Sequence, residues 1–257
     1  MEIAILIIIS LGASWLTFFC GFGLGTMLTP VFYMLFKDLE IAIAATTVVH
    51  FLNNVFKFIL MKKSVNWKVA IPFGLAAIPA AFIGASILIH YTDFSIVKYS
   101  IFGSTQEIFA LNLAFGIILI GFALIELIPS WSLAFSKQKL WLGGAISGFF
   151  GGLSGHQGAL RTAFLVKYQL KKEVFIATGI LIALTIDIVR SSVYFTNLDI
   201  KLSDKWIYIL ISLMAALIGA ISGKHFLKKI KLNTLNIIVS IAMLLFGATL
   251  ALGFINK

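Results

Sequence analysis

Long apolar stretches recur from one end of this 257-residue sequence to the other. Each is close to or above the roughly 20 residues that a helix needs to cross the hydrocarbon core of a bilayer. Hydrophobic residues make up 60% of the chain and charged residues only 12%, a balance far from that of soluble domains. The sequence therefore predicts an all-α polytopic membrane protein. The apolar stretches are residues 3–36, 41–61, 69–89, 108–128, 140–166, 174–195, 207–222 and 232–254.

The composition excludes several other classes of protein. Continuous apolar runs differ from the roughly ten-residue alternating segments of a transmembrane barrel. Lys and Arg outnumber Asp and Glu by 20 to 10, but no soluble basic module is present, so we expect no nucleic-acid partner. Because Cys20 is the single cysteine, the sequence allows neither an internal disulfide nor a cysteine metal cluster. We predict no metal and no cofactor.

Two apolar stretches, residues 3–36 and 140–166, are too long for one straight span and too short for two, and glycines interrupt both. A single crossing by each would divide the loop lysines and arginines almost evenly between the two membrane faces. A hairpin in each instead places twelve lysines on one face and five on the other, so the positive-inside rule favours hairpins and makes the first face cytoplasmic. The twelve are Lys62, Lys63, Lys68, Lys137, Lys139, Lys167, Lys171, Lys172, Lys224, Lys228, Lys229 and Lys231.

An internal repeat appears when the chain is aligned with itself at an offset of 132 residues. Gly23–Thr26 then aligns with Gly155–Gly158, and Ile43–Thr46 aligns with Phe175–Thr178. Three spans separate the two broken segments, so the hairpins would enter from opposite faces as an inverted repeat. Broken segments at matching positions of an inverted repeat are typical of secondary transporters that bind substrate near the membrane midplane. The two predicted repeats cover residues 1–129 and 130–257.

These segments resemble a known family of transporters. Gly21–Pro30 followed by Ala42–Thr46 resembles the first repeat of the TauE/SafE sulfite exporter family, and Gly152–Ala163 followed by Glu173–Thr178 resembles the second. The family pattern is a glycine-rich turn, an apolar stretch ending in proline, and an Ala-Thr helix. The resemblance implies a multi-pass transporter of the inner cell membrane, not an enzyme, that exports sulfite, sulfoacetate or a related organosulfonate.

The second turn departs from the family's commoner apolar pattern and is predicted to form one wall of an anion site. Arg161 lies six residues past the Gly155 break, and its planar guanidinium can give a sulfonate two hydrogen bonds. Backbone N–H groups at the break and at the start of the next half-helix, near Gly158, also attract anions. His156 and Gln157 are predicted donors, although carbonyl groups in an ordinary turn could satisfy His156 instead.

We expect the facing wall to come from the first repeat. Its predicted members are Thr26, Thr29, Thr46, His50, Asn53 and Asn54. Positions 46, 50, 53 and 57 recur at helical spacing, so they form one polar stripe on an otherwise apolar helix. Thr178 matches Thr46 in the second repeat and is predicted to bind substrate as well. His50 is interpreted either as an interhelical hydrogen-bond partner or as a carrier of the coupled proton.

Four further charged residues lie inside the apolar stretches, where ionisable groups are costly and often functional. One of them, Glu126, lies near a helix end before Pro129, so we interpret it as a solvated side chain. Lys57 is about one turn from the cytoplasmic end of its helix, so it either extends to water or joins the site as a coupling charge. Asp187 and Arg190 are three residues apart and can pair on one helix face. That pair either holds helices together or orients Arg190 toward substrate, with Asp187 as a coupling residue.

Two other functions fit parts of the sequence. Gly152–Gly155 reads Gly-Leu-Ser-Gly, which matches the GxSG signature of rhomboid intramembrane serine proteases, but no late helix supplies the base histidine. An anion channel is the second alternative, whereas the net basic embedded charge disfavours a cation channel. We interpret the chain as a secondary transporter that moves a small sulfur anion by alternating access, with or without coupled protons. Its predicted partners are that anion and the lipid bilayer.

Overall fold

The structure, a computed structural model, describes residues 2–20, 24–90, 95–101, 104–128, 140–155, 157–197, 202, 204–226 and 232–254. Within these residues the chain is mainly helical, as expected. The helices are α1 (Glu2–Cys20), α2 (Leu24–Phe36), α3 (Leu39–Met61), α4 (Trp67–His90), α5 (Ala110–Leu127), α6 (Leu140–Ser154), α7 (Gly158–Leu165), α8 (Lys172–Asn197), α9 (Trp206–Phe226) and α10 (Leu232–Ala251). Short 3₁₀ turns follow α3 and α7 at Lys62–Ser64 and Val166–Tyr168.

Helix length and apolarity confirm the predicted class of polytopic all-α membrane protein. Among the described residues, four helical segments are long and apolar enough to cross a membrane. These are Leu39–Ser64, Trp67–His90, Lys172–Thr196 and Trp206–Phe226, which correspond to α3, α4, α8 and α9. The predicted stretches 41–61, 69–89, 174–195 and 207–222 lie within these segments. Both broken stretches contain two helices each, α1 with α2 and α6 with α7.

The α6–α7 segment turns back on itself at Gly155. The Phe164 ring of α7 packs so closely on Gly143 of α6 that a Cβ atom there would overlap it. One straight helix would separate these two residues by about 30 Å. The Ser147 hydroxyl also donates a hydrogen bond to the Gln157 carbonyl, at 3.2 Å. The two helices therefore form a hairpin, and α1 likewise packs against α2.

The first helix of each hairpin packs on the long helix of the other half. α6 lies against α4, and α1 lies against α9. The α4–α6 contact is made through glycines at every fourth position of α6, where any Cβ atom would overlap a carbonyl oxygen of α4. Small residues at this spacing allow the backbones of membrane helices to touch. The glycine and carbonyl pairs are Gly144 with Phe73, Gly148 with Ala77 and Gly152 with Ala81.

The segment between α4 and α5 contains an antiparallel hairpin that the sequence analysis did not predict. Its strands are β1 (Ser95–Ile101) and β2 (Ser104–Phe109). Lys98 and Glu107 face each other across the strands, with their charged atoms 3.1 Å apart. Hydrogen bonds from Ser95 and then Lys98 hold the pKa of Glu107 below its usual range. The Tyr99 hydroxyl donates to the Leu252 carbonyl, which ties the hairpin to the end of α10.

Close packing of α4 on α6 predicts different responses to the same substitution at two helical glycines. A Cβ at Gly152 would overlap the Ala81 carbonyl, whereas a Cβ at Gly121 of α5 would have no atom within 4 Å. We expect Gly152→Ala to destabilise the protein by about 1–3 kcal/mol, because overpacking forces the backbones apart. Gly121→Ala is the matched control and should be neutral or slightly stabilising. Thermal unfolding in detergent measures both, and equal melting temperatures would contradict this account.

Candidate functional site

Five Lys, Arg, Asp and His side chains are buried inside the helical bundle, within the part of the chain that the structure describes. They are Lys57, Arg161 and Arg190, each 2% exposed, with Asp187 at 0% and His50 at 9%. They come from three helices, α3, α7 and α8. Burying charge in a membrane protein is costly unless partners or a polar cavity compensate, so this cluster is the first candidate for function.

The polar stripe predicted on α3 lies inside the bundle. Thr46, His50, Asn53 and Lys57 are all buried, and α3 packs against α2, α8 and α9. The N-cap of α3 is Asp38, whose carboxylate accepts a hydrogen bond from the Ile41 N–H at 3.1 Å. A side-chain acceptor at the N-cap satisfies one of the free N–H groups of the first turn. The four polar residues recur at helical spacing along α3, so they lie on the face of the helix that points to the protein interior.

His50 and Asp187 connect α3 to α8. The Nδ1 atom of His50 donates to Oδ2 of Asp187 at 2.7 Å. The Nδ2 atom of Asn54 donates to the same oxygen at 2.8 Å and lies 3.1 Å from His50 Nδ1. Of the two predicted interpretations of His50, the interhelical hydrogen bond is therefore present. The sequence analysis did not pair His50 with Asp187.

Arg190 connects the same carboxylate to the break between α6 and α7. One guanidinium nitrogen lies 3.2 Å from Oδ1 of Asp187, as the three-residue spacing predicts. Another packs on Gly155, whose φ of +77° and lack of a Cβ leave room for it. One turn further along α8, the Tyr194 hydroxyl donates to the Gly152 carbonyl at 2.7 Å. A cation and a donor thus stabilise the C-terminal end of α6.

Lys57 does not extend toward water. Its ammonium donates to the Thr17 hydroxyl at 2.9 Å and to the Ser14 carbonyl at 3.3 Å, both on α1. It also lies 5.7 Å from the centre of the Phe18 ring, within range of a cation–π interaction. The solvated alternative for Lys57 is therefore wrong. The side chain points into the bundle and contacts the first helix of the first hairpin.

Arg161 lies one turn into α7 and packs on α8. The Arg161 N–H donates to the Gln157 carbonyl at 3.0 Å, which closes the first turn after the break. Its guanidinium covers Gly179, where a Cβ would lie 3.3 Å from Nε. A larger residue at position 179 would therefore press on the guanidinium. Both the half-helix and the glycine direct the Arg161 side chain into the bundle.

One small cavity, which we call the basic cavity, is lined by Arg161, Lys57, His50, Asn54 and Thr17. Its remaining lining is apolar. Its volume is about 10 Å³, the space of a single water molecule. Four of its five polar residues were predicted from the sequence. Thr17 was missed, although Ser10, Ser14 and Thr17 recur at helical spacing on α1.

Two predicted amide residues carry buried polar atoms without hydrogen-bond partners among the described residues. Both side-chain atoms of Gln157 belong to this group, and the side chain packs against Gly151. Asn53 accepts a hydrogen bond from Ser14 at 3.2 Å through its oxygen, but its nitrogen has no partner. Buried polar groups are seldom left unsatisfied, and the exceptions need an explanation such as a functional role.

The predicted threonines form helix-to-helix contacts. Thr29 donates to the Gly25 carbonyl at 2.8 Å and lies 3.3 Å from the Thr46 hydroxyl, which joins α2 to α3. Thr178 accepts from the Asn66 N–H at 3.0 Å, so its hydroxyl is bound to the segment before α4. Gly158 is the buried first residue of α7. His156 and the side chain of Thr26 lie outside the described residues.

Comparison with known proteins identifies the family of this chain through a family profile. No curated protein and no solved structure matches the chain. The profile of the family described as sulfite exporter TauE/SafE matches residues 6–250, nearly the entire sequence. Members of this family are transporters, and the apolar helices agree with such a role. The chain therefore belongs to the TauE/SafE family, whose members are membrane exporters of sulfite and related sulfur anions.

Proposed function

We propose that this protein is a secondary transporter of the inner cell membrane that exports sulfite, sulfoacetate or a related organosulfonate through the basic cavity. The observation that carries the proposal is the position of Lys57 and Arg161, two buried cations from different helices that line one cavity. A guanidinium matches the oxygens of a sulfonate with two hydrogen bonds, and an ammonium adds a point charge. His50 and Asn54 supply further polar atoms.

The small size of the cavity supports alternating access. A space of about 10 Å³ holds one water molecule and is too small for a sulfonate. Substrate binding therefore requires the helices around it to separate. We propose that the two halves rock against each other as an inverted repeat. Helix α6 of the second half packs on α4 of the first, and α1 of the first half packs on α9 of the second. This reciprocal packing supports the proposal, because each half of an inverted repeat would make the same contact with the other half.

Proton coupling is proposed to use His50. Because a carboxylate only accepts hydrogen bonds, the contact with Asp187 assigns the imidazole hydrogen to Nδ1 of His50 and leaves Nε2 as the position for a second proton. An imidazolium would then lie beside the carboxylate that also contacts Arg190 and Asn54. The added positive charge on the cavity wall would favour an anion. Release of the anion and the proton on the same side would couple their movements.

Family membership argues against the intramembrane serine protease, because members of the family are transporters. An anion channel needs a continuous pathway that ions enter and leave readily, and a cavity of one-water size favours a carrier.

Anion binding at Arg161 is tested by ligand-dependent thermal stability. Purified protein in detergent is heated with sulfite, sulfate, sulfoacetate, phosphate or acetate. A ligand at 100 times its Kd stabilises the folded state by about 2.7 kcal/mol. We expect a clear rise in melting temperature with a sulfur anion, and its loss in Arg161→Gln. Lys98→Gln is the control, since the Lys98 side chain is 65% exposed on the β-hairpin. An equal rise in Arg161→Gln would contradict the proposal.

The role of His50 is tested by flux measurements in proteoliposomes. A pH gradient should drive net movement of sulfite through the wild-type protein, and a trapped dye should report the accompanying protons. We expect His50→Gln to lose gradient-driven net movement while it retains exchange of labelled for unlabelled sulfite. Gradient-driven movement that is unchanged in His50→Gln would rule out His50 as the proton carrier.

A further inference from the structure

A second cavity lies where the connection between α3 and α4 meets the start of α8. It is a shallow groove, open to the surface, with a volume of about 460 Å³. Small-molecule sites occupy about 300–1,000 Å³, so the groove has room for a ligand. It shares no lining residue with the basic cavity and is therefore separate from the proposed substrate site. Its lining residues are Lys63, Ser64, Val65, Asn66, Trp67, Lys68 and Val174.

Hydrogen bonds give the connection that forms the groove a fixed shape. The Asn66 N–H donates to the Thr178 hydroxyl at 3.0 Å, which anchors the connection on α8. The Asn66 carbonyl accepts from the Val69 N–H at 3.1 Å at the start of α4. The Val65 N–H closes the preceding 3₁₀ turn on the Lys62 carbonyl at 3.4 Å. An ordered backbone therefore presents the side chains of the groove, which reduces the entropic cost of binding a ligand there.

The groove lies at the surface of the membrane. The helical segments Leu39–Ser64 and Trp67–His90 are both long and apolar enough to span it, so the junction between them lies at one end of each span. The Lys224 ammonium donates to the Leu60 carbonyl at 3.3 Å, which brings the end of α9 to the same level. The positive-inside rule assigns this lysine-rich face to the cytoplasm. The groove is therefore at the depth of the lipid headgroups of the cytoplasmic leaflet.

The groove and its border are strongly basic. Lys63 and Lys68 line the groove, and both are exposed. Residues 62–68 and 171–174, which meet here, contain five exposed lysines and one carboxylate, that of Glu173. An ammonium group binds phosphate oxygens as a point charge, and basic pockets between membrane helices on this side of a membrane bind anionic lipid headgroups. The groove therefore has the chemistry of a phosphate site.

An exposed apolar strip leads away from the groove along α4. It begins at Trp67, which lines the groove, and its members recur at intervals of three or four residues, so they share one helix face. The strip is about 22 Å long, at about 1.5 Å per helical residue. Tryptophan favours the boundary between headgroups and hydrocarbon, which is the level of this side chain. The other members of the strip are Ile71, Leu75, Ile78 and Phe82.

We infer that the groove and the apolar strip together bind an anionic phospholipid of the cytoplasmic leaflet. Lys63 and Lys68 contact the phosphate, Trp67 lies at the boundary below it, and the acyl chains follow the strip along α4. The strip favours a lipid over a soluble phosphate, because only the lipid has apolar chains to cover it. The inference goes beyond the proposed transport function and does not depend on it.

Lipid binding is measured by titration of the purified full-length protein in a neutral detergent, with native mass spectrometry to count the bound lipids. The probes are phosphatidylglycerol, which is anionic, and phosphatidylcholine, which has no net charge, with the same oleoyl chains. We expect the first phosphatidylglycerol to bind with a Kd at least about tenfold lower than that of phosphatidylcholine, because only the anionic lipid leaves the lysine charges matched.

Substitutions in the groove test the assignment of its residues. In Lys63→Gln/Lys68→Gln we expect phosphatidylglycerol to bind about tenfold more weakly, while the Kd of phosphatidylcholine changes less than about threefold. Lys98→Gln/Lys205→Gln removes the same charge from two lysines predicted on the opposite face and should leave both Kd values unchanged. Trp67→Ala should weaken both lipids by a similar factor, since its contact is apolar. Unliganded melting curves establish that each variant is folded.

Several results would overturn the inference. Equal Kd values for the two lipids in the wild type would do so, as would a preference for phosphatidylglycerol that persists in Lys63→Gln/Lys68→Gln or is lost equally in the control variant. Displacement of phosphatidylglycerol by millimolar glycerol 3-phosphate would identify a soluble phosphate as the ligand instead. If the double groove variant does not fold, the two single substitutions decide, each with an expected loss of about threefold. None of these results involves Arg161, so the proposed function is tested separately.

Discussion

The carboxylate of Asp187 is the contact on which the arrangement of the site depends. It is fully buried, and it joins His50 and Asn54 of α3 to Arg190 of its own helix. Through Arg190, the same group reaches Gly155 at the turn of the second hairpin. A buried charge is costly to separate from partners such as these. The contacts of Asp187 therefore fix the positions of α3, α8 and the α6–α7 turn relative to one another.

Backbone contacts between helices bring these groups close enough to interact. The glycines of α6 let its backbone touch α4, and the tight turn at Gly155 reverses the chain inside the bundle. Irregular backbone at this depth is tolerated in a membrane only where protein or a polar cavity surrounds it. The hairpin therefore places Arg161 at the cavity, while α3 supplies Lys57 from the first half of the chain. The close packing of the helices is thus what brings the buried charged side chains together at the cavity.

Local patterns predicted most of the fold, because helix length and apolarity are properties of continuous segments. The polar stripe through His50 and Lys57 was also readable from spacing alone. The pairing of His50 with Asp187 was not, since it depends on which helices become neighbours. Thr17 was missed although Ser10, Ser14 and Thr17 share one helix face. The hairpin at residues 95–109 was missed because its strands are short and lie between two strong helical signals.

The most direct test of the central claim is an experimental structure of the full-length protein with sulfoacetate bound. The account predicts density for the sulfonate in contact with the guanidinium of Arg161 and beside the ammonium of Lys57. It also predicts a cavity enlarged from its present volume of about 10 Å³. Ligand density at a position away from Arg161 would contradict it.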